Sequence, residues 1–278
     1  MSHKNNLINV HKLSVATSKI LNDDNYKHVL LMKINNKCEC CKKIIYKNIS
    51  HLTFAALHSR KNNDFNEYID SYLELFPDEI HSKNRLGNNL LMVVSRYAGT
   101  LSTIETLKII LNHNPKINAV NFSGKTALMF AVTNSLKSSS NSAVNLLINY
   151  GAKTDIKDYN GMTAVMLAAK MYGKGSTRVS FVKLMLNNPN YNCMDKYGKK
   201  LIHYVFENRR FLFHKKLMIE VLKNTYNLNI EIGSKKLINF LYDEFFDDKI
   251  IIYALENGSS ILDLIDGRRL SIIIDNLI

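Results

Sequence analysis

Long apolar runs and a regular set of cysteines are both missing from this 278-residue sequence. No segment reaches the 18 or more apolar residues that a membrane-spanning helix requires, so the sequence predicts no transmembrane helix. Three cysteines crowd together at Cys38, Cys40 and Cys41 while Cys193 stands alone, which excludes a regular disulfide framework. The first residues also lack the continuous apolar stretch of a signal peptide. We therefore expect an intracellular protein.

Recognisable catalytic motifs are missing as well. The segment 173–177, Gly-Lys-Gly-Ser-Thr, contains the residues of a phosphate-binding loop in the wrong order, because that motif places its lysine after the second glycine. A flexible turn is the simpler interpretation. The nine histidines are scattered, with no local nucleophile and carboxylate beside them. The sequence therefore predicts no enzyme and no cofactor.

A zinc site is the one metal hypothesis that the cysteines allow. Cys38 and Cys41 have the C-x-x-C spacing of a zinc knuckle, and His51 and His58 follow as candidate nitrogen ligands. A complete site would need a second pair at C-x-x-C or H-x-3-to-5-H spacing, but six residues separate these histidines. The spacing favours free thiols on a capping helix, so we predict no metal and keep these four residues as candidates.

A period of 37 residues is the main feature that is present. Four glycines recur at this interval, and each follows an Asn or Asp by three residues. The glycines are Gly87, Gly124, Gly161 and Gly198, and the preceding residues are Asn84, Asn121, Asp158 and Asp195. The short Asn or Asp side chain can hydrogen-bond its own downstream backbone while glycine accepts a positive φ, so each pair predicts a tight turn. Two segments with apolar residues at helical spacing follow each turn.

These units resemble ankyrin repeats, whose unit of about 33 residues contains a β-turn, two antiparallel helices and a Thr-Pro-Leu-His signature. The matching segments are 126–129 (Thr-Ala-Leu-Met), 163–166 (Thr-Ala-Val-Met) and 200–203 (Lys-Leu-Ile-His). The family's proline is absent from all three, and its histidine is present only as His203. The resemblance implies an all-α ankyrin-repeat solenoid of about five to six divergent units, with His203 in a structural hydrogen bond.

Each 37-residue unit is longer than the ankyrin unit of about 33 residues, and the additional residues are predicted to lie between the two helices of each unit. Leu111 and Gly124 are 13 residues apart, as are Ile148 and Gly161, so the segment from each second helix to the next turn has a constant length. The insertions would occupy 98–102, 135–141, 172–177 and 208–214. We expect them on one exposed edge, away from the stacked core, with Ser138 to Ser140 simply solvated.

Both ends of the chain depart from the repeat. Residues 1–45 are predicted to form an N-terminal helical cap that carries the cysteine cluster. Residues 46–266 contain the ankyrin-type repeats, including a first unit with helices at 51–57 and 68–76. Residues 267–278 are predicted to form a C-terminal capping helix, because the open end of a solenoid would otherwise expose its apolar face to water.

Protein recognition is the function that the ankyrin resemblance implies, on a concave surface made of turn tips and first helices. The implied partner-binding residues are Arg85, Phe122, Lys125, Tyr159, Met162, Tyr197, Lys199 and Tyr204. Phe122, Tyr159 and Tyr197 are of special interest because aromatic residues often dominate the binding energy of interfaces. These three could instead pack between neighbouring turns, and the sequence does not decide between the two roles.

The formal net charge of +13 is uneven and opens two further hypotheses. Residues 84–236 contain 22 basic and seven acidic residues, whereas residues 237–278 carry a net charge of −5. A basic region can attract nucleic acid, although no aromatic-interleaved basic motif occurs. An adaptor to ubiquitin-ligase machinery is the other alternative, because segment 76–80 (Phe-Pro-Asp-Glu-Ile) resembles the opening of an F-box.

The 37-residue period is also similar to that of the ankyrin proteins of giant DNA viruses of the mimivirus type. The phrases that carry this likeness are 95–97 (Ser-Arg-Tyr) and 103–108 (Thr-Ile-Glu-Thr-Leu-Lys). The resemblance implies a viral protein that binds a host or viral partner. We expect it in the host cytoplasm, with the nucleus as the second choice.

Overall fold

Twelve α-helices and one small hairpin make up the described part of the chain. The computed structural model describes residues 51–187, 190–208, 215–225, 228–245, 248–257 and residue 259. The helices are α1 (His51–His58), α2 (Asp64–Leu75), α3 (Leu90–Tyr97), α4 (Ile104–Asn112), α5 (Ala127–Asn134), α6 (Asn141–Asn149), α7 (Ala164–Met171), α8 (Arg178–Leu186), α9 (Leu201–Glu207), α10 (Lys215–Lys223), α11 (Leu237–Phe245) and α12 (Asp248–Glu256). A 3-10 helix (Pro77–His81) follows α2, and β1 (Glu231–Ile232) pairs antiparallel with β2 (Lys235–Lys236) before α11.

The helices form six consecutive pairs, and the predicted period is kept in the structure. The first helices of units two to five begin at Leu90, Ala127, Ala164 and Leu201, which are 37 residues apart. Their second helices begin at Ile104, Asn141, Arg178 and Lys215, again 37 residues apart. The first helices pack in sequence from α1 to α9, and the second helices pack likewise from α2 to α8. The predicted all-α stack is therefore confirmed.

Three predictions at the ends of the array have different outcomes. The first unit is present as α1 and α2, although α2 begins four residues before the predicted 68–76 segment. The hairpin β1–β2 was not predicted and contacts α9 and α11. The N-terminal cap at 1–45, with its cysteine cluster, and the capping helix at 267–278 lie outside the described residues.

Small residues allow the first helices to approach one another. Ala131 on α5 and Ala168 and Ala169 on α7 have no solvent-exposed surface. Larger apolar side chains fill the layer between first and second helices, as Phe181 of α8 does. Close packing of this kind makes the interior sensitive to added volume.

Each turn is built on the predicted Asn or Asp. Asn121 Oδ1 accepts the N–H groups of Ser123 and Lys125, both at 2.9 Å. Asp195 Oδ1 accepts those of Tyr197 and Lys199, both at 2.8 Å. The equivalent bonds form at the other two turns, and all four turn glycines have φ between +74° and +76°. The short polar side chain and the glycine therefore fix the same turn four times.

Backbone hydrogen bonds join each turn to the next. Phe122 N–H donates to Leu86 O at 3.2 Å, and Tyr159 N–H donates to Ser123 O at 3.1 Å. The third bond joins Lys196 N–H to Asn160 O at 2.9 Å. The donors all directly follow the turn Asn or Asp, and the acceptors all stand two residues after it. The turns consequently form one ladder with a constant register.

Side-chain oxygens cap all six helix starts in units two to four. Thr126 Oγ1 accepts the N–H of Met129, and the same contact is made by Asn89, Thr103, Ser140, Thr163 and Thr177. Such caps typically stabilise a helix by about 1 kcal/mol. In unit five the position is Lys200, which has no acceptor in its side chain. There the Lys200 N–H donates to Nδ1 of His203 at 3.0 Å, which confirms the predicted structural bond.

Replacing His203 with Gln should reduce the acid sensitivity of the fold. Burial lowers the pKa of His203 below its usual 6.5, with Glu207 acting in the opposite direction. The folded state therefore prefers the neutral ring, so its contribution to stability is complete above 6.5 and is lost as the pH falls through the folded pKa. Between about pH 7.5 and pH 5, we expect wild type to lose up to about 1 kcal/mol more unfolding free energy than His203→Gln.

Urea unfolding at the two pH values, followed by circular dichroism, measures this difference. Gln at this position keeps an acceptor for the Lys200 N–H without a titrating ring. His203→Ala is the control, because it removes both the acceptor and the titrating ring, so relative to His203→Gln it should be destabilised equally at both pH values. An identical pH dependence of wild type and His203→Gln would contradict the assigned role.

The segments between the helices at 98–102, 135–141 and 172–177 lie where the insertions were predicted, but they are not simply solvated. Most of the fourth predicted insertion, 208–214, lies outside the described residues. Gly99 N–H donates to Ser138 O at 3.0 Å, and Leu136 N–H donates to Gly175 O at 3.1 Å. Ser139 is buried and donates to Ser95 O at 2.7 Å. The prediction that Ser138 to Ser140 is merely solvated was therefore wrong, because neighbouring insertions are hydrogen-bonded to one another.

The 173–177 segment was predicted to be a flexible turn, but it packs against the preceding unit. A Cβ on Gly175 would overlap Thr133 O of the preceding unit. Ser176 is buried, and Thr177 caps α8. The segment is a packed turn that takes part in the stack of insertions.

Candidate protein-binding surface

One continuous surface is formed by the turn tips and the first helices, and we call it the turn-helix face. Four large apolar side chains at the turn tips are strongly exposed on it: Leu86 at 67%, Phe122 at 67%, Tyr159 at 71% and Tyr197 at 72%. Phe122 and Tyr159 stand one residue after the turn Asn or Asp, and Leu86 and Tyr197 stand two residues after it. Because backbone hydrogen bonds join these consecutive turns, the four side chains form a row along the turn tips. Two clefts open beside this row.

The first cleft lies between α1, α3 and α5 and has a volume of about 310 Å³. Its apolar lining comes from Leu57, Leu86, Met92, Val93, Leu101 and Phe130. Lys61 and Arg96 are its cationic residues. The Arg96 Cζ atom lies 5.4 Å from the ring centroid of Tyr97 and 6.0 Å from that of Phe130, so the guanidinium is held over aromatic rings.

His58 also lines the first cleft. Its ring stacks on Phe54 with 3.8 Å between the centroids, and its Nδ1 lies 3.0 Å from Phe54 O. Burial lowers the pKa of His58, and the nearby Lys61 acts in the same direction. The ring is therefore neutral at physiological pH, and the positive charge of this cleft comes from Lys61 and Arg96.

The second cleft lies between α7 and α9 and has a volume of about 690 Å³. Its lining is rich in lysine and tyrosine: Lys170, Lys174, Tyr197, Lys199, Tyr204, Glu207 and Asn208. Lys199 Nζ forms an ion pair with Glu207 Oε1 at 2.7 Å. The Nζ atoms of Lys170 and Lys199 each lie 5.9 Å from the ring centroid of Tyr204, so two cations share one aromatic ring.

Tyr204 is anchored from below by the turn of unit five. Its Oη donates a hydrogen bond to Asp195 Oδ2, while Asp195 Oδ1 accepts two backbone N–H groups. Burial acts to raise the pKa of Asp195, but the hydrogen bonds from Tyr204, Lys199 and Tyr197 outweigh it and lower that pKa. Burial and the bond to Asp195 raise the pKa of Tyr204. The Asp195 carboxylate is thus satisfied by donors within its own unit.

A comparison with protein families agrees with this architecture. Residues 30–158 match a family model described as ankyrin repeats (3 copies). The chain contains ankyrin repeats. The fold is an all-α ankyrin-repeat solenoid, because the 37-residue turn and helix pattern continues beyond the matched residues through α9 and α10. No curated protein matches the sequence.

Ankyrin repeats generally mediate protein–protein interaction, and proteins built from them are typically not enzymes. The turn-helix face of this array corresponds to the surface on which the ankyrin resemblance implied partner-binding residues. In the part of the chain that the structure describes, no helix is sufficiently long and apolar to cross a membrane.

Six of the eight predicted partner-binding residues are accessible on the turn-helix face of the ankyrin array. Arg85, Phe122, Tyr159 and Tyr197 are exposed, and Lys125 and Lys199 are half-buried. Met162 and Tyr204 are instead buried, with 4% and 7% of their surfaces exposed. Tyr204, which was predicted on the partner-binding surface, is buried because its hydroxyl donates a hydrogen bond to Asp195, although its ring still lines the second cleft. Met162 belongs to the core.

The two roles weighed for the tip aromatics are both present. A Cβ on Gly87 would stand 2.8 Å from Phe122 Cδ1, and one on Gly124 would stand 2.7 Å from Tyr159 Cδ1. Each ring therefore lies against the glycine of the preceding turn, yet keeps about two thirds of its surface exposed. Packing fixes the rings without hiding them. Tyr197 is as exposed as Phe122 and Tyr159. Its ring centroid lies 4.9 Å from Lys196 Nζ.

Sequence reasoning missed most of the first cleft, including Leu57, Met92 and Leu101. The available signal was the repeat frame, which places Met92 and Met129 at equivalent positions, but it does not show that a cleft opens above Met92. Lys174 of the second cleft was considered only as part of a phosphate loop. Its position in an insertion beside α9 becomes apparent only from the stacking of neighbouring units.

The metal candidates are not brought together in the described residues. His51 packs edge-on against Tyr72 at 4.7 Å between centroids, and His58 stacks on Phe54. Among the residues whose structure is described, no group of three or more His, Cys, Asp and Glu could hold a metal ion. Cys38 and Cys41 lie outside those residues.

Proposed function

We propose that this chain is a non-enzymatic protein-binding module and that its partner docks on the turn-helix face. The observation that carries the proposal is the row formed by Leu86, Phe122, Tyr159 and Tyr197, each at least two thirds exposed and each at a turn tip. Aromatic side chains of this kind are frequent at the centres of protein interfaces. The row lies between two clefts that can receive side chains of a partner.

The row is also prepared for binding before the partner arrives. The N–H groups of Phe122 and Tyr159 are fixed by the turn ladder, and their rings lie against Gly87 and Gly124. Side chains that are already ordered lose little conformational entropy when a partner docks, so more of the contact energy contributes to affinity.

Replacing Phe122, Tyr159 and Tyr197 together with Ala should abolish capture of the partner. Each exposed aromatic at an interface centre can contribute more than about 1 kcal/mol, so we expect affinity to fall at least about a hundredfold. The measurement is a crosslinking pull-down from expressing cells, treated with nuclease, followed by titration of the purified partner. A double variant, Val179→Ala with Leu186→Ala, is the control, because it removes exposed apolar side chains from α8.

Two outcomes are informative. Loss of a nuclease-resistant protein partner in the triple variant, with retention in the α8 control, supports the proposed face. Equal capture by the triple variant would contradict it. Thermal unfolding of the triple variant must show that the array is still folded.

A nucleic-acid-associated protein is the second candidate function, and the lysines and tyrosines of the second cleft are the observation that favours it. Positively charged grooves with aromatic side chains can bind single strands. Such binding would disappear with nuclease and would weaken steeply with salt, because counterions are released from the phosphates. The third candidate, a ubiquitin-ligase adaptor, rests on segment 76–80, which here begins directly after α2 and contains most of the 3-10 helix. Ligase subunits in the pull-down would support it.

The source and location of the protein are part of the same proposal. The 37-residue period supports a viral ankyrin protein that binds a host or viral partner in the host cytoplasm, with the nucleus as the second choice. Immunofluorescence of the full chain in expressing cells tests the location, and the identity of the captured partner tests whether it is a host protein.

A further inference from the structure

We infer that the segment bound on the turn-helix face is an acidic peptide with one apolar anchor residue. The anchor fills the first cleft, and the carboxylates of the peptide lie among the lysines of the second cleft. This inference rests on the proposed function and specifies the chemistry of the ligand.

The charge of the second cleft is the first observation that favours an acidic ligand. Its three lysines are Lys170, Lys174 and Lys199, and its single carboxylate belongs to Glu207. Glu207 is already paired with Lys199, whereas no ion pair forms at Lys170 or Lys174 among the described residues. The other nearby carboxylates, Asp158 and Asp195, are buried in their turns. Two exposed lysines therefore remain available for carboxylates of a ligand.

The tyrosines of this cleft shape the site for a side chain. Tyr204 is fixed by its bond to Asp195 and lies beneath Lys170 and Lys199. Tyr197 stands at the tip above it and is exposed. A carboxylate that enters from the turn tips would thus meet lysine ammonium groups on a rigid aromatic floor. Charge-assisted hydrogen bonds of this kind are the stronger ones in interfaces.

The first cleft distinguishes a peptide from a nucleic acid. Its volume of about 310 Å³ lies at the lower end of ligand pockets, and leucine, methionine, valine and phenylalanine side chains dominate its lining. An aliphatic or aromatic side chain of a peptide would cover that lining, whereas a sugar-phosphate backbone would leave it wet. Lys61 and Arg96 at the same cleft make an acidic peptide preferable to a basic one.

The separation of the clefts sets the spacing of the ligand residues. The first cleft lies between α1, α3 and α5 and is centred near α3, and the second lies between α7 and α9, so their centres are about two and a half units apart along the array. Packed helices are about 8–10 Å apart, which gives a separation of roughly 20–25 Å. An extended chain covers about 3.3 Å per residue, so about six to eight residues separate the anchor from the acidic residues.

Selection from random peptides tests this assignment with a defined probe. A phage library of random peptides of about 16 residues, long enough to cross both clefts at about 3.3 Å per residue, is panned on the full chain. We expect enrichment of sequences with at least two Asp or Glu residues and an apolar residue at the stated spacing. Enriched peptides that lose binding to the Phe122, Tyr159 and Tyr197 triple variant but carry no acidic residues would overturn the inference and leave the proposed function intact. Failure to enrich any peptide that depends on the three aromatics would overturn both.

A charge-matched pair of variants then locates the acidic contacts. Lys170→Glu with Lys174→Glu reverses two lysines of the second cleft, and Lys116→Glu with Lys153→Glu reverses two exposed lysines in loops that follow second helices. Both double variants lower the net charge of +13 by four. At about 0.15 M salt, which screens charges beyond about 8 Å, we expect the first pair to weaken an enriched peptide at least about tenfold and the second pair less than about threefold.

Fluorescence anisotropy with the synthetic peptide measures these affinities. Equal effects of the two pairs would show that only the overall charge matters and would overturn the local assignment. Oligothymidine serves as the nucleic-acid probe. If it displaced the peptide and showed the same dependence on Lys170 and Lys174, the face would bind nucleic acid and the inference would be wrong.

Discussion

Alanine at Gly161 is expected to lower the unfolding free energy by about 3 kcal/mol, from a positive-φ penalty of about 1–2 kcal/mol and an overpacking penalty of about 1–3 kcal/mol. Gly161 has a φ of +76°, a conformation that L-residues rarely adopt. Its new Cβ would stand 2.9 Å from Lys196 N and 2.9 Å from Asp195 Cα, which are backbone atoms of the next turn. Backbone cannot move aside as a side chain can, so the Lys196 N–H bond to Asn160 O would be strained.

Gly198→Ala provides the matched control for this prediction. Gly198 also has a φ of +76°, but no described atom lies within 4 Å of the position that a Cβ would take there. It should therefore show the positive-φ penalty alone, about 1–2 kcal/mol. Urea unfolding of the two variants, followed by circular dichroism, isolates the contribution of contact between turns. Equal losses in both variants would mean that the turn ladder contributes nothing to stability.

Alanine at Gly175 is the second substitution with a large expected effect, a loss of about 2 kcal/mol through overpacking. The added Cβ would overlap Thr133 O of the preceding unit and lie 3.2 Å from Met171 Cε. Gly175 does not have a positive φ, so its backbone conformation is open to alanine. The loss would thus report the packing of one insertion against its neighbour.

The sign of the stability change in Gly175→Ala shows whether the insertion packs against its neighbour. In an unpacked loop, Gly→Ala stabilises a protein by about 0.4–1 kcal/mol because it reduces the entropy of the unfolded chain. Lys174→Ala is the control, since Lys174 is exposed and its replacement should change stability by less than about 0.5 kcal/mol. Denaturant midpoints of the three proteins decide the matter. Higher stability of Gly175→Ala would show that the insertion does not pack on Thr133.

Local chemistry explains which parts of the fold could be predicted from the sequence. An Asn or Asp three residues before a glycine specifies its turn through contacts within five residues, so the turns and the helix order were predictable. The bond between Gly99 and Ser138 and the contact between Gly175 and Thr133 join residues about 40 positions apart in sequence. No local pattern records such pairs, and the insertions were therefore mistaken for solvated loops.

Some residues of the candidate site could likewise be predicted from the sequence, and others could not. Phe122, Tyr159 and Tyr197 follow directly from their turn positions. Tyr204 lies on a first helix, and its burial depends on a hydrogen bond to Asp195 that helical spacing does not reveal. The first cleft depends on the relative placement of three helices, so its apolar residues looked like ordinary core in the sequence.

Because the units stack in a constant register, each unit adds the same distance along the array. If residues 127–163 were excised, Thr126 would directly precede Ala164, which is the junction that Thr163 makes in the intact chain. The shortened polypeptide would keep its turn and cap chemistry while its two clefts moved one repeat closer together. The distance between binding determinants on a partner is therefore counted in whole units, and gain or loss of a unit would change the preferred ligand length in discrete steps rather than gradually.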